Sequence, residues 1–381
     1  MRCGDKLKKI RKSKILAFFS IVSSFVCVLS FILWTPIFLK GKLNDIAFFS
    51  ASTIFPNSIL KEERSNDILK NNLNDRIFIP NVINFGGEEA KETEISKEVE
   101  DVDTIIQSVP KFELSHEDGE NTFKIVECMF GASGDKFDNI YINNKTNVNL
   151  DVANVLNQNP DISIEKNNSP QVLVVHTHTS EAYMDKDQGF YYQNFHARTT
   201  DPRFNVIQVG NSICKSLEAC GIKTIHDTTI HDTPMFTGSY KRSEETIRKN
   251  LEKYPSISVV LDIHRDTIEN KERRKIKPTF SFNGKKAAQV MIIAGCDEDG
   301  SLNYPDWRCN LKLALKLHKK LETMYPGITR SLLFKHARYN MHLTHGSMLI
   351  EVGSDANTLN EAVISGALVG KALGGLLKEL Q

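Results

Sequence analysis

Three apolar runs, each closing on residues that carry chemistry, constrain this chain more than any other feature. Val172-Leu-Val-Val175 runs into His176-Thr-His178 and Glu181, Val259-Val-Leu261 into Asp262-Ile-His264-Arg-Asp266, and Met348-Leu-Ile350 into Glu351-Val-Gly353. Short unbroken runs of this kind, rich in β-branched residues, predict buried strands. Further strands are expected at 140–142, 223–226 and 289–295. Between them lie helical patterns. Val206, Val209, Ile213 and Leu217 recur at three- and four-residue steps over 205–219, with Gly221 just beyond as a stop. A capping-box-like start opens 243–253, Pro326-Gly327 ends 310–325, a short helix is expected at 151–157, and 358–380 closes the chain. This alternation predicts an α/β fold, a mostly parallel sheet covered by helices on both faces. Sites in such sheets form beyond the carboxyl ends of the strands, where all three runs deliver their polar residues.

The amino-terminal part reads differently. Residues 1–14 carry seven basic side chains against the single acid Asp5, and 15–39 contains no charge. At about 1.5 Å per residue, that apolar run is long enough to cross a hydrocarbon core of roughly 30 Å. It exceeds the apolar core of a signal peptide, roughly 7 to 15 residues, and no small-x-small site closes it. The expectation is a basic cytoplasmic tail over 1–14, one transmembrane helix over 15–39, and the remainder on the far side of the membrane. Residues 40–120 include the acid-heavy 87–103 and hold too little apolar surface to offset their ordering entropy, so they are expected to form a largely disordered stalk. The domain proper is then 121–381.

Net charge is +1, so no global field points to nucleic acid. The seven cysteines form no CxxC pair, which favours small buried residues over a disulfide framework. Walker, G-x-G-x-x-G and G-x-S-x-G signatures are missing, so phosphate cradling and serine hydrolysis lack their usual marks.

If the three strands are neighbours, His176, His178, Glu181, His264 and Glu351 converge. Two imidazoles and a carboxylate suit Zn²⁺ and leave a fourth position for water. A further carboxylate, Glu351, is the candidate to move the proton. Each residue has a plainer use as well. A lone histidine at a strand end is commonly a hydrogen-bonded structural residue, Glu181 can cap a helix, and Glu351 can pair with Arg265 or Arg338. His196 and Asp201 stand in reserve as ligands. His226, His231, His336, His342 and His345 are expected at the surface or behind the site, and Tyr191, Tyr192, Tyr240 and Tyr339 either line a groove or simply pack.

The chain resembles the stage II sporulation protein P family, membrane-anchored N-acetylmuramoyl-L-alanine amidases of endospore-forming bacteria. The likeness rests on Val174-Val-His-Thr-His-Thr-Ser-Glu-Ala-Tyr183, Asp262-Ile-His-Arg-Asp266, Arg338-Tyr-Asn340, and Leu349-Ile-Glu-Val-Gly-Ser354 followed by Asn357-Thr-Leu-Asn-Glu-Ala362. The last two strand ends also look like those of the broader zinc amidase class. By that likeness His264 is a Zn²⁺ ligand and Glu351 the catalytic acid/base. The first ligand falls on His176 or His178. The class glutamate lies further on than Glu181, so the carboxylate ligand stays open. Arg265, Arg338 and Asn340, within or beside these motifs, are expected to contact substrate. The resemblance implies cleavage of the amide joining N-acetylmuramate to the stem-peptide L-alanine of peptidoglycan, and action with stage II sporulation proteins D and M during engulfment. Two alternatives remain: a zinc carboxypeptidase trimming wall peptides, and a non-catalytic wall-binding component of a sporulation complex.

Overall fold

The computed structural model describes residues 119–131 and 133–381. The expected cytoplasmic tail and transmembrane helix lie outside the described residues, as does the stalk up to residue 118. Among the described residues no helix is long and apolar enough to cross a membrane.

The described chain opens with β1 (Thr122–Cys128), β2 (Asp135–Phe137), β3 (Ile140–Asn144) and a short helix α1 (Val152–Asn157). Then come β4 (Val172–Val175), β5 (Phe190–Tyr192), α2 (Ile207–Ala219), β6 (Thr224–His226), α3 (Ser239–Lys253) and β7 (Val259–Asp266). β8 (Lys275–Phe282), β9 (Lys285–Ala288), β10 (Val290–Cys296), α4 (Trp307–Met324) and β11 (Leu332–His336) precede β12 (Gly346–Ser354) and α5 (Leu359–Glu379). Eight strands form one sheet in the order β2-β3-β11-β10-β12-β7-β4-β6, and four form a second, β5-β1-β8-β9. The three runs that dominate the sequence are therefore adjacent, with β7 between β12 and β4, and both pairings are parallel.

Both sheets are mixed, which corrects the expectation of a mostly parallel sheet. β10 runs antiparallel to β12, β2 to β3, β5 to β1 and β9 to β8. The reason is the path of the chain between β7 and β10. A parallel neighbour needs a crossover, usually a helix. Here β8 and β9 form a hairpin instead, and Gln289 alone separates β9 from β10, so β10 enters the sheet from the opposite end.

Alternation along β4 and β7 divides the interior. Leu173, Val175 and Val260 pack with Ile247 of α3 and Ile257 in a small cluster. Val172, Val174, Val259, Leu261 and Ile263 point the other way, into the main core with Val209, Ile213 and Leu217 of α2 and Ala362, Leu368 and Leu373 of α5. One face of β4 and β7 is thus deeply covered and the other lightly, and the lightly covered side carries the polar strand ends. The second sheet joins the main core through Phe280, Phe282 and Ala287. Its buried Lys277 reaches Glu361, in the first turn of α5, at 2.7 Å and Asp187 at 2.9 Å, so the charge is paired on both sides.

Close approach of α2 and α5 depends on small residues. A Cβ added at Gly370 would lie 2.5 Å from the Ile213 carbonyl oxygen and 2.7 Å from Ser216 Cβ. At Gly375 the nearest atoms belong to the flexible end of Lys320, at 3.1 Å. Gly370→Val is expected to destabilise by about 1–3 kcal/mol through overpacking against backbone. Gly375→Ala should be neutral or stabilising by up to about 1 kcal/mol through helix propensity. Urea denaturation of the two variants checks the contrast, and equal effects would show that α2 does not press on α5 at Gly370.

Candidate active site

Asp262 organises the strand ends. Its side chain shares one face of β7 with those of His264 and Asp266, while Ile263 and Arg265 point the other way. The Thr177 backbone N–H donates to Asp262 Oδ1 at 2.8 Å and the Thr177 hydroxyl to Oδ2 at 2.6 Å. That grip holds the chain leaving β4 against β7. Thr177 Oγ1 also lies 2.7 Å from Ser243 Oγ on α3. A turn follows, closed by the Glu181 N–H donating to the His178 carbonyl at 3.1 Å. His178 and Glu181 thereby come to the His264 side, and Glu351 on β12 stands directly opposite His264 in the strand register. The ladder breaks just beyond, between Glu351 and Ser354, where Gly353 adopts φ 69°. A Cβ there would meet Asn357 Oδ1 at 2.6 Å, so the bulge requires glycine.

The four side chains form one buried group. The His178 and His264 rings meet edge to face, with centroids 5.3 Å apart. Glu181 Oε2 lies 3.4 Å from His264 Nδ1 and accepts the Arg265 backbone N–H at 3.1 Å. Asp262 Oδ1 approaches His264 Nε2 to 2.9 Å, but off the hydrogen-bonding direction, because Nε2 has no aligned partner among the described residues. The attraction there is chiefly electrostatic. His178 Nδ1 and Glu351 Oε2 are likewise buried and without a hydrogen-bond partner among the described residues.

Charge follows from these contacts. Burial opposes a charged His264, yet Asp262 and Glu181 on its two sides outweigh burial and hold the imidazole well above its ordinary pKa. Burial also works against an ionised Glu181, but His264 and Arg265 keep its carboxyl well below the usual range. His178 is pushed down to about 4, chiefly by burial, and is neutral at pH 7. Glu351 is pushed up to about 8 by burial first and then by the charge of Asp266. Two carboxylates in one cluster thus hold opposite charge states, the pattern that separates acid and base roles.

His176 does not join this group. Its ring is buried on the α2 side, with Nδ1 2.9 Å from the Ile263 carbonyl and Nε2 2.9 Å from His226 Nε2. Burial, aided by His226, lowers its pKa to about 3, so it is neutral. A neutral His176 donates from Nδ1 to the Ile263 carbonyl, and its Nε2 meets His226 Nε2. Both ring nitrogens are engaged there, so the structure brings His178 rather than His176 beside Glu181 and His264. Two residues of strand and turn suffice to send His176 and His178 to different sides.

The expected substrate contacts also change. The Arg265 guanidinium donates to the Ala182 and Ala197 carbonyls at 3.1 and 2.7 Å and to the Thr267 hydroxyl at 2.6 Å, bracing the loop after Glu181 from behind the site. Asn340, at φ 59°, donates from Nδ2 to the Tyr240 carbonyl at 2.8 Å and to Ser243 Oγ at 3.0 Å. Both side chains are taken up by partners within the fold. Arg338 remains partly exposed, 3.3 Å from the Leu302 carbonyl. His196 is exposed. Asp201 pairs with Arg203 at 2.6 Å in a surface turn.

Residues of the 227–238 loop complete the rim. Asp232 accepts the Ser180 N–H and hydroxyl and pairs with Arg198 at 2.9 Å. Phe236 stacks on His178 with centroids 4.2 Å apart, and Arg198 lies over Phe236 at 4.7 Å. Nothing in the local sequence singles out Asp232, because its partners come from a distant segment. Asp262 was more legible, since it lies two residues before His264 in a strand and hence on the same face.

The donor set fits Zn²⁺ in kind, two imidazoles and a carboxylate, provided that the metal displaces the proton that Asp262 and Glu181 favour on His264. The group whose donor atoms all lie within 4.8 Å of one another is a different one, Asp297, Asp299 and His336. Asp297 there accepts the Leu302 and Tyr304 N–H groups, which accounts for its carboxylate without a metal.

Comparison with known proteins gives two kinds of result. The family model described as Stage II sporulation protein P (SpoIIP) matches residues 75–374. The chain is 30% identical over 207 residues to the Stage II sporulation protein P of Bacillus subtilis (strain 168), covering 50% of this chain and 47% of that one. The match thus spans about half the length of this curated relative. Among solved structures, an N-acetylmuramoyl-L-alanine amidase of Clostridium difficile 630 overlaps at TM-score 0.33 and 15% identity, covering 55% of this chain and 96% of that one. A second, from Nostoc punctiforme, gives 0.31 and 12%, with 57% and 99% covered. The CwlD amidase from Clostridioides difficile, in complex with the GerS lipoprotein, gives 0.33 and 11%, with 56% and 100% covered. Overlaps this loose carry no weight for fold or chemistry.

The His176–His226 contact has a measurable consequence. Removing His226 leaves His176 Nε2 buried and unpaired, which costs about 1–3 kcal/mol. His226→Ala and His176→Ala are each expected to lower the denaturation midpoint, and the double variant should lose less than the sum because the two share one bond. Strict additivity in the double-mutant cycle would show that the bond contributes nothing.

Proposed function

This chain belongs to the stage II sporulation protein P family, and from that premise we propose that it is a peptidoglycan amidase of sporulation. In the finer reading it cleaves the amide between N-acetylmuramate and the stem-peptide L-alanine during engulfment. His178, Glu181 and His264 hold Zn²⁺ and Glu351 is the catalytic acid/base. One observation carries this: three buried polar atoms, His178 Nδ1, His264 Nε2 and Glu351 Oε2, have no hydrogen-bond partner among the described residues and lie in one cluster at the ends of adjacent strands. Unpaired buried polar groups are costly, and their grouping argues for a ligand.

Zn²⁺ bound by these side chains would supply Lewis acidity, making water nucleophilic near neutral pH and polarising an amide carbonyl. The protein's own groups do the rest. Glu351, with a pKa raised to about 8, is close to the poise that suits proton transfer at physiological pH. In its ionised form, which a cation held beside it would favour, it takes a proton from the attacking water and delivers it to the departing amine. Glu181 keeps its charge through Arg265 and His264. Asp262, bonded to Thr177, keeps the β4 turn and β7 in step. The stacked Phe236 limits the motion of the His178 ring.

The rest of the reading extends beyond the described residues. A single-pass anchor at 15–39 and a stalk over 40–120 would hold the domain outside the cytoplasmic membrane, within reach of wall polymer. Stage II sporulation proteins D and M are the proposed partners, on family resemblance.

The purified full-length chain with zinc is expected to release intact stem peptides from peptidoglycan, identified by mass spectrometry. Trimming of the peptide's free carboxyl end would instead support a carboxypeptidase. Unchanged glycan peptide together with no bound zinc would support a binding component. Glu351→Gln should cut the rate by at least about 10²-fold with the fold intact. His178→Ala and His264→Ala should lower bound zinc, measured by metal analysis. His176→Ala should retain zinc and lose stability, and zinc loss from His176→Ala alone would overturn the ligand assignment.

A further inference from the structure

One group beside the cluster has no part in the chemistry so far. Tyr240 lies in the first turn of α3 and sets its ring edge to face with His178, with centroids 5.7 Å apart at 84°. Tyr339 packs on it at 5.4 Å, and Asn340 Nδ2 holds its backbone carbonyl at 2.8 Å. The ring is therefore held between two others, and its backbone is pinned by Asn340. Other tyrosines near the site use their hydroxyls internally: Tyr183 donates to the Val352 carbonyl at 3.1 Å, and Lys335 Nζ donates to Tyr339 at 3.0 Å. The Tyr240 hydroxyl makes no such bond among the described residues. The edge-to-face contact with His178 sets the phenol beside the cluster.

We propose that Tyr240 is a catalytic residue whose phenol O–H donates a hydrogen bond to the carbonyl oxygen of the scissile amide as that oxygen becomes anionic. This rests on the amide-hydrolase reading above. Water attacks the carbonyl carbon, a C–O bond forms, and the carbonyl π electrons move onto the oxygen. The proton of the attacking water passes to Glu351. The Tyr240 proton stays on the phenol throughout, since an ordinary phenol has a pKa near 10 and burial raises this one further. On collapse the C–N bond breaks, the carbonyl re-forms, and the amine leaves with the proton from Glu351. The products are one carboxylic acid and one amine, and Tyr240 is unchanged. A fixed donor aimed at developing charge needs no reorganisation at the moment of reaction, which makes such donors effective.

The test is Tyr240→Phe in the full-length chain, which keeps the ring and removes only the hydroxyl. Expected are a fall in kcat of about 10²-fold, with KM within about twofold and with zinc content and melting temperature as in the wild type. A kcat within about threefold of wild type would overturn the proposal. So would a rate loss that tracks lost zinc or lowered melting temperature, because it would mark Tyr240 as packing for His178. Wild-type product analysis in the same assay judges the substrate separately. If another amide is cut, the muramoyl reading fails while the ratio of Tyr240→Phe to wild type on that amide still judges Tyr240. A wild type that cuts no amide overturns both.

Discussion

A carboxylate taken out of water must find donors, and at Asp262 that requirement ties together three segments from different parts of the chain. Its two oxygens accept the backbone N–H and the hydroxyl of Thr177 just past β4. Thr177 in turn touches Ser243 on α3, and Ser243 receives a hydrogen bond from Asn340 on the loop before β12. His264 leans on the same carboxylate from β7. The relative positions of the β4 turn, α3 and the 338–340 loop thus follow from one buried negative charge and the short list of donors available to it. If Asp262 were apolar, Thr177 would lose two partners and the turn carrying His178 and Glu181 would lose its anchor.

Strand alternation supplies the second constraint. On β7 the odd-numbered Val259, Leu261 and Ile263 enter the deep core, while Val260, Asp262 and His264 face the thinner layer under α3. The deep side is closed by α2 and α5 packed across small residues. This asymmetry lets a polar cluster exist at all. A sheet equally covered on both faces would bury the four site side chains beneath a second helical layer, with no route to solvent. Here the cover on the site side is a single helix and a loop braced by Arg242, which donates to the His231 and Thr237 carbonyls.

Much of this was legible in the residues themselves. The strands β4, β7 and β12 stood out because their runs are unbroken and buried on both faces, and the convergence of His178, His264 and Glu351 followed from placing those strands side by side. What was not legible has particular physical causes. The second sheet is built from short strands such as Phe190–Tyr192 and from Lys275–Phe282, whose lysines obscure the apolar pattern until Glu361 and Asp187 neutralise Lys277. The reversal of β10 depends on a hairpin directly upstream, which an apolar run cannot reveal. His176 and His178 differ only in which side of a turn they leave from, and that choice is made by Thr177 finding Asp262, a residue 85 positions away. Arg265 and Asn340 carry motif-like positions, yet their donors meet backbone carbonyls that no sequence pattern marks.

The same accounting explains why the cluster is where it is. Nearly every buried polar group around it is satisfied: Asp232 by Ser180 and Arg198, Asp266 by Arg330 at 2.8 Å, and Glu181 by Arg265. Against that background His178 Nδ1, His264 Nε2 and Glu351 Oε2 make no hydrogen bond among the described residues, and His264 Nε2 has only the electrostatic approach of Asp262. A buried group without a partner costs about 1–3 kcal/mol, less where a charge lies as close as Asp262 does to His264 Nε2, and that cost falls on the deep core on the opposite face to offset. A ligand engaging all three recovers that energy on binding. A chain relieved of it by apolar replacements would gain stability and lose its only reason for holding two histidines and two glutamates together out of water.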